Sequence, residues 1–229
     1  MVERVLGVDA CRGGWVGVVI FGSHSDAYFA RGIEDLVAAG ERDGTLEAVA
    51  VDMPIGLPDA GQREADRLAK AAVGRLGSSV FVTPTRAAFD ASDHASAVVI
   101  NREHGGAGIS IQAFSLKPKL LELEGWVRRT RLRVVEVHPE VSFARLAGEA
   151  LTVRKSSWAG AQRRRALLAS AGIVLEDELG AAGAVARVDD ILDAAVAAWS
   201  AKRVTTGEAI SMPDPPEMFS DGLASAIWV

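Results

Sequence analysis

The chain has a single cysteine, Cys11, in 229 residues. That excludes an internal disulfide framework and any cysteine-based zinc cluster. No apolar run approaches the roughly 20 residues of a membrane-spanning helix, because Asp, Arg or Gly interrupts each one within about a dozen positions. The opening Met1-Val2-Glu3-Arg4-Val5-Leu6-Gly7-Val8-Asp9 lacks the basic-then-apolar layout of a secretory signal. A cytoplasmic protein with no membrane partner is therefore expected. Positive charge is not in excess either: 25 Lys and Arg stand against 30 Asp and Glu, a formal net charge of −5. Such a balance does not suit a protein that coats long duplex electrostatically, although a local basic patch would still serve. There is no internal repeat, and no Ser–His–Asp or Cys–His arrangement supplies an activated nucleophile.

What is present suits one globular domain over 1–229, with 49% hydrophobic and 24% charged residues. Val5 to Asp9 reads as a short strand ending in an acid, and Trp15 to Phe21 as a second strand, joined to the first by a hairpin at Gly13-Gly14. Ala27 to Ala30 adds a third strand, Ile33 to Ala39 a helix, and Leu46 to Met53 a buried strand of the continuous apolar kind. The stretch from about 57 to 131 is longer than a simple crossover needs and reads as a helical insertion. It contains helices over Gln62–Val73, Ser92–Arg102 and Ile109–Arg129, with a Gly/Ser/Pro/Thr-rich loop from Gly74 to Arg86. Arg133 to His138 alternates as a fifth strand, and helices follow over Glu140–Gly148, Trp158–Ala169 and Asp189–Arg203.

The acids carry the functional signal. Asp190 and Asp193 lie three apart, hence on one face of a helix otherwise built of Ala, Val, Ile, Leu and Trp. Charge at the edge of an apolar helix is costly unless a cation neutralises it. Asp9 and Asp52 end two apolar strands far away in sequence. Acids from separate elements that converge point to a divalent metal. Each has a plainer explanation: Asp189 and Asp190 suit a helix start as caps, and Asp52 suits a turn. Asp193, inside the apolar part of its helix, is the hardest to account for in that way.

This order of elements resembles the ribonuclease H-like fold: an α/β domain with a mixed five-stranded sheet, three strands antiparallel and two parallel, flanked by helices. The closest resemblance within it is to Holliday-junction resolvases of the RuvC type, which carry an acid on strand one, an acid on strand four and two acids three apart on the last helix. Asp9, Asp52, Asp190 and Asp193 match in order and setting, as do Val135 to Val141 and Lys155 with the helix after it. In one respect the chain departs from that pattern: strand four supplies Asp52 where the resolvase type has the longer Glu.

Over nearly its whole length the chain is similar to an uncharacterised family, domain of unknown function family 429, described as nucleases of ribonuclease H fold. The segments that carry this are Gly7 to Trp15, Asp52 to Pro58, Gly77 to Phe81, Glu136 to Glu140, Asp190 to Ala194 and Gly222 to Val229.

The resemblance implies phosphodiester hydrolysis with two Mg²⁺ or Mn²⁺ ions, hard cations that favour carboxylate oxygens, roughly 3.5–4 Å apart. Asp9 would bridge the ions, Asp52 and Asp193 would hold one each, and Asp190 would complete the metal set. Glu136 and His138 share one face of the fifth strand, which a solvated strand face would also explain. The family match adds them to the catalytic group, with His138 as proton shuttle or substrate contact. Ser78 and Ser79 resemble a loop that grips phosphate through amides and hydroxyls. Arg12, Arg86, Lys119 and Lys155 are the cations assigned to substrate.

The expected partner is nucleic acid, single-stranded, branched or RNA-containing, and a homodimer is a compatible assembly. Two other functions stay open. An actin- or sugar-kinase-like ATP-binding protein would also place an acid before a Gly-rich hairpin, as Asp9 to Gly14 do, but needs two lobes and a second phosphate loop. A non-catalytic binding protein that kept the fold would not respond to Mg²⁺.

Overall fold

The computed structural model describes residues 3–229. Strands β1 (Arg4–Cys11) and β2 (Gly14–Phe21) form an antiparallel hairpin in which Cys11 faces Gly14. The turn is therefore Arg12-Gly13, one residue earlier than the glycine pair suggested. Gly13 has φ of 81°, a left-handed conformation that a side-chain-bearing residue adopts only at a cost. β3 (His24–Ala30) runs antiparallel outside β2, and α1 (Ile33–Gly40) follows. β4 (Ala48–Val51), buried at every position, pairs parallel with β1, and β5 (Arg133–Glu136) pairs parallel with β4. Full burial is what a continuous apolar strand in the middle of a covered sheet requires.

Among the described residues the sheet has seven strands, not five, in the order β3-β2-β1-β4-β5-β7-β6. The two additions are β6 (Ser211–Met218) and β7 (Ala224–Trp228) from the C-terminal segment. β7 runs parallel to β5, with Ile227 beside Glu136, and β6 closes the sheet antiparallel to β7. β6 contains Pro213, Pro215 and Pro216. These argue against a strand in the sequence but are tolerated at a sheet edge, where one side of the backbone needs no ladder partner.

Between β4 and β5 lie α2 (Glu64–Val73), α3 (Arg86–Asp90), α4 (His94–Glu103), α5 (Ile111–Ser115) and α6 (Lys117–Val127). The expected helix over 109–129 is in fact the last two of these. Pro118 in the first turn of α6 has no N–H to continue a helix from α5, so the chain restarts there. After β5 come α7 (Pro139–Ala147), α8 (Trp158–Ser170), α9 (Gly180–Val185) and α10 (Val188–Thr206). None of these helices is long and apolar enough to cross a membrane.

Alternation along β1 assigns its two faces. Leu6 and Val8 join Ile33, Leu36, Leu120 and Leu123 in the core beneath α1 and α6. Val5 joins Leu192, Ala194, Val196 and Ala198 in the core beneath α10. By period two, Gly7 and Asp9 share the face of Val5. α10 thus crosses β1 on the side where Asp9 projects.

Candidate metal centre

The approach of α10 to β1 is set by small residues. A Cβ placed on Gly7 would lie 2.0 Å from the Ala198 nitrogen and 2.1 Å from the Ala194 oxygen. Glycine is what lets the helix backbone lie directly on the strand. Ala194, Ala195, Ala197, Ala198 and Ala201 are buried along the same helix. Asp193, the neighbour of Ala194, is thereby fixed beside the end of β1.

Asp9 is brought in by β1 itself, and Asp52 by the residue just beyond β4. There the Asp52 amide donates to the Val8 carbonyl at 2.9 Å and extends the parallel pairing by one step. The result is a three-carboxylate cluster: one oxygen from each of Asp9, Asp52 and Asp193 lies within 4.8 Å of the others. Asp9 is 7% exposed and Asp193 is wholly buried. Lys155, in the loop before α8, forms an ion pair with Oδ2 of Asp193. The other oxygen, Oδ1, is buried and has no hydrogen-bond partner among the described residues.

The electrostatics follow from that crowding. Burial pushes the Asp9 carboxyl well above the usual carboxylate range, and the neighbouring Asp52 and Asp193 push it further. Burial likewise raises Asp193 to about 7 against the pull of Lys155, with Asp52 adding repulsion. Asp52 is raised to about 7 by burial, opposed by Lys155 and assisted by Glu136 and Glu140. Lys155 shows the converse: burial works against its charge, yet Asp193, Asp52 and Asp9 outweigh it and hold the ammonium protonated. Once a bound cation displaces their protons, one ammonium facing three ionised carboxylates leaves two negative charges for that cation to balance. An all-oxygen donor set with that residual charge suits a hard divalent cation such as Mg²⁺ or Mn²⁺.

The fourth acid of the expected metal set is placed otherwise. Asp190 occupies the third position of α10, and its Oδ2 accepts the Arg187 amide at 3.0 Å in a capping box. It is half-buried beside the cluster, close enough to raise Asp9 but outside the trio. Asp189 pairs with Arg187 at 3.2 Å.

Glu136 is neither on a solvated face nor open to a ligand. It is 4% exposed, and both its oxygens accept from Arg63, at 2.7 and 2.8 Å, while Oε2 also takes the Ile55 amide at 2.7 Å. Arg63 is 1% exposed and is held from its other side by Asp66. The network ties the start of α2 to β5. His138 precedes α7 and has a buried Nδ1 without a partner among the described residues; burial lowers its pKa and favours the neutral ring. With Asp52, Glu136 and Arg63 it lines a cavity of about 30 Å³.

Of the six substrate-contact candidates, Lys155 meets the acids. Arg12 is exposed at the tip of the β1–β2 hairpin. Ser78 and Ser79 are exposed in a 3₁₀ turn, where the Ser79 hydroxyl donates to the Leu76 carbonyl at 2.7 Å. Arg86 is engaged by Glu124 at 2.7 Å and Asp221 at 2.8 Å. Lys119 lies 4.4 Å above the Trp15 ring and 3.5 Å from Glu122.

What holds Lys155 has no signature in the sequence. The Arg163-Arg164-Arg165 run suggests a solvated helix face, yet Arg164 is fully buried. Its Nη2 donates to both oxygens of Glu140, at 2.7 and 2.6 Å, and its Nη1 donates to the Val153 carbonyl at 3.1 Å. The Ser157 hydroxyl donates to the Arg154 carbonyl at 2.9 Å. A Cβ on Gly160 would lie 2.0 Å from that same oxygen. The residues on both sides of Lys155 are therefore anchored to α8. A single buried arginine in a run of three cannot be singled out without knowing which helix face meets α7.

The family model described as "Protein of unknown function (DUF429)" matches residues 7–218. The chain belongs to that family. No curated protein and no solved structure matches it. The matched region of this DUF429 chain includes all three clustered acids and Lys155.

Proposed function

We propose that this DUF429 protein is a metal-dependent nuclease, built on a ribonuclease H-like arrangement, that hydrolyses phosphodiester bonds at Asp9, Asp52 and Asp193. One observation carries the reading: three carboxylates from β1, the end of β4 and α10 meet at one point, Asp9 and Asp193 buried and Asp52 partly exposed, with an oxygen of Asp193 unpartnered among the described residues. The strand order at that point, β2-β1-β4-β5 with the first pair antiparallel and the rest parallel, is the order expected of that fold. Its relation to RuvC-type resolvases rests on the spacing of Asp190 and Asp193 and on Lys155.

A bound Mg²⁺ or Mn²⁺ supplies activation of water and stabilisation of the leaving oxygen. The side chains do the rest. Asp9, Asp52 and Asp193 are the ligands; the α10–β1 contact at Gly7 fixes the separation of Asp9 and Asp193. Lys155 directs a protonated ammonium at the same point, where an anionic phosphate oxygen is attracted. His138, neutral and lining the same small cavity as Asp52, would accept a proton. A two-ion form of this chemistry would need carboxylate oxygens for a second ion, and one oxygen of Asp193 is already paired with Lys155.

Nucleic acid is the substrate the surroundings support. Trp158, three residues beyond Lys155, is 80% exposed at the start of α8 and offers an indole face on which an unpaired base can stack. Arg154 is exposed next to Lys155. A single-stranded, branched or RNA-containing substrate fits a stacking residue better than continuous duplex does.

The test is cleavage of labelled single-stranded, branched and RNA–DNA hybrid oligonucleotides with Mn²⁺ or Mg²⁺, comparing wild type with Asp9→Asn. The expectation is metal-dependent cleavage by wild type alone. Equal activity in the two proteins would reject the assignment.

A further inference from the structure

We propose that Lys155 is a built-in cation occupying the second cation position of the carboxylate cluster, so that the site takes one divalent ion per chain instead of two. The inference rests on the metal reading above and deepens it.

Three observations point to this role. The Lys155 ammonium contacts one oxygen of Asp193, while the other oxygen of the same carboxylate is buried and unpartnered. Asp193 thus presents two places for positive charge, one of them already filled. Next, the charge count closes with one ion. With their protons displaced by a bound metal, Asp9, Asp52 and Asp193 contribute three negative charges and Lys155 one positive charge, leaving two for a single divalent cation to balance. Two divalent ions plus the ammonium would leave an excess of two positive charges around a carboxylate, Asp193, that is wholly buried.

The third observation is that Lys155 is not a mobile surface lysine. Arg164 holds the Val153 carbonyl, Ser157 holds the Arg154 carbonyl, and Gly160 lets the loop close onto α8. Three hydrogen bonds from the buried Arg164 fix α8 to α7 and to this loop, so the ammonium is delivered to the acids by the packing of two helices. An ammonium differs from a metal ion in what it can do. It carries one charge and three donors, attracts a phosphate oxygen, and cannot lower the pKa of a bound water as a divalent ion does. Asp190, capping α10 instead of joining the trio, leaves fewer ligands for a second ion.

Mn²⁺ alone, titrated calorimetrically into the full chain at neutral pH, reads the count. Wild type and Lys155→Arg, which keeps the charge, are expected to bind one ion. Lys155→Met is expected to bind two. Two ions in wild type, or a folded Lys155→Met chain that still binds one, would overturn the proposal. Should Lys155→Met fail to fold, as judged by circular dichroism, the wild-type count decides between one ion and two. Binding to neither wild type nor variant would count instead against the metal reading itself, and so is distinguishable from failure of the Lys155 assignment.

Discussion

At the residue scale, the defining feature is that burial and mutual repulsion act on the same carboxylates. Asp52 and Asp193 are both pushed up to about 7, mainly by burial, from an ordinary value near 4. In the unfolded chain they ionise near 4, so between about 4 and 7 the folded state binds more protons than the unfolded one. The sign follows directly. Metal-free protein should lose stability as pH rises through that window, and these groups should contribute no further change above it. Denaturant unfolding of chelator-treated protein across the window measures this; stability that rises with pH there, and returns to a falling trend when Asp193 is replaced by Asn, would contradict it. Glu136 presents the opposite case. Burial raises its pKa, but Arg63 opposes that and holds both oxygens, so its role is to join α2 to β5.

At the scale of elements, two contacts deliver the site, and each can be broken alone. α10 reaches β1 because Gly7 has no side chain. Gly7→Ala forces the backbones apart and is expected to cost about 3 kcal/mol, the upper range for overpacking. It should also diminish any stabilisation by Mn²⁺, since Asp193 moves with the helix; chemical unfolding with and without Mn²⁺ reads both effects. α8 meets α7 through the buried Arg164–Glu140 pair. Arg164→Met leaves Glu140 buried without its partner and should cost about 3–5 kcal/mol, much of it recovered when Glu140→Leu is added. A double variant no more stable than Arg164→Met would show that the loss lies in the Val153 anchor and not in the ion pair.

These contacts also show where sequence reading stops. The strands bearing Asp9 and Asp52 were legible because apolar runs ended in acids, and Asp193 because it interrupts an apolar helix. Asp190 was ambiguous, as a first-turn acid serves as a cap or a ligand with equal ease, and the structure shows it capping. Arg63 and Arg164 were invisible. Their partners, Glu136 and Glu140, lie 73 and 24 residues away, and nothing local distinguishes a buried arginine from a solvated one. β6 was hidden by three prolines that only its edge position makes acceptable.

At the scale of the whole molecule, a protein with net charge of −5 is proposed to act on a polyanion. Cations are instead concentrated locally: Lys155 within the acid cluster and Arg154 beside it on the same loop, with Trp158 for base contact. Cleavage is accordingly expected to fall only shallowly as salt is raised, because the slope against log salt scales with the number of phosphates neutralised and only a few local cations serve here; a steep loss would point to a broad basic surface instead. All of this depends on the cluster of Asp9, Asp52 and Asp193 holding a divalent cation, and thermal unfolding with and without Mn²⁺ measures that most directly. An ion that relieves the repulsion binds the folded state and must raise the melting temperature. The account predicts a clear upward shift for wild type and none for Asp9→Asn, whose metal-free form should itself melt higher than metal-free wild type. Identical melting curves for wild type in Mn²⁺ and in chelator would contradict it.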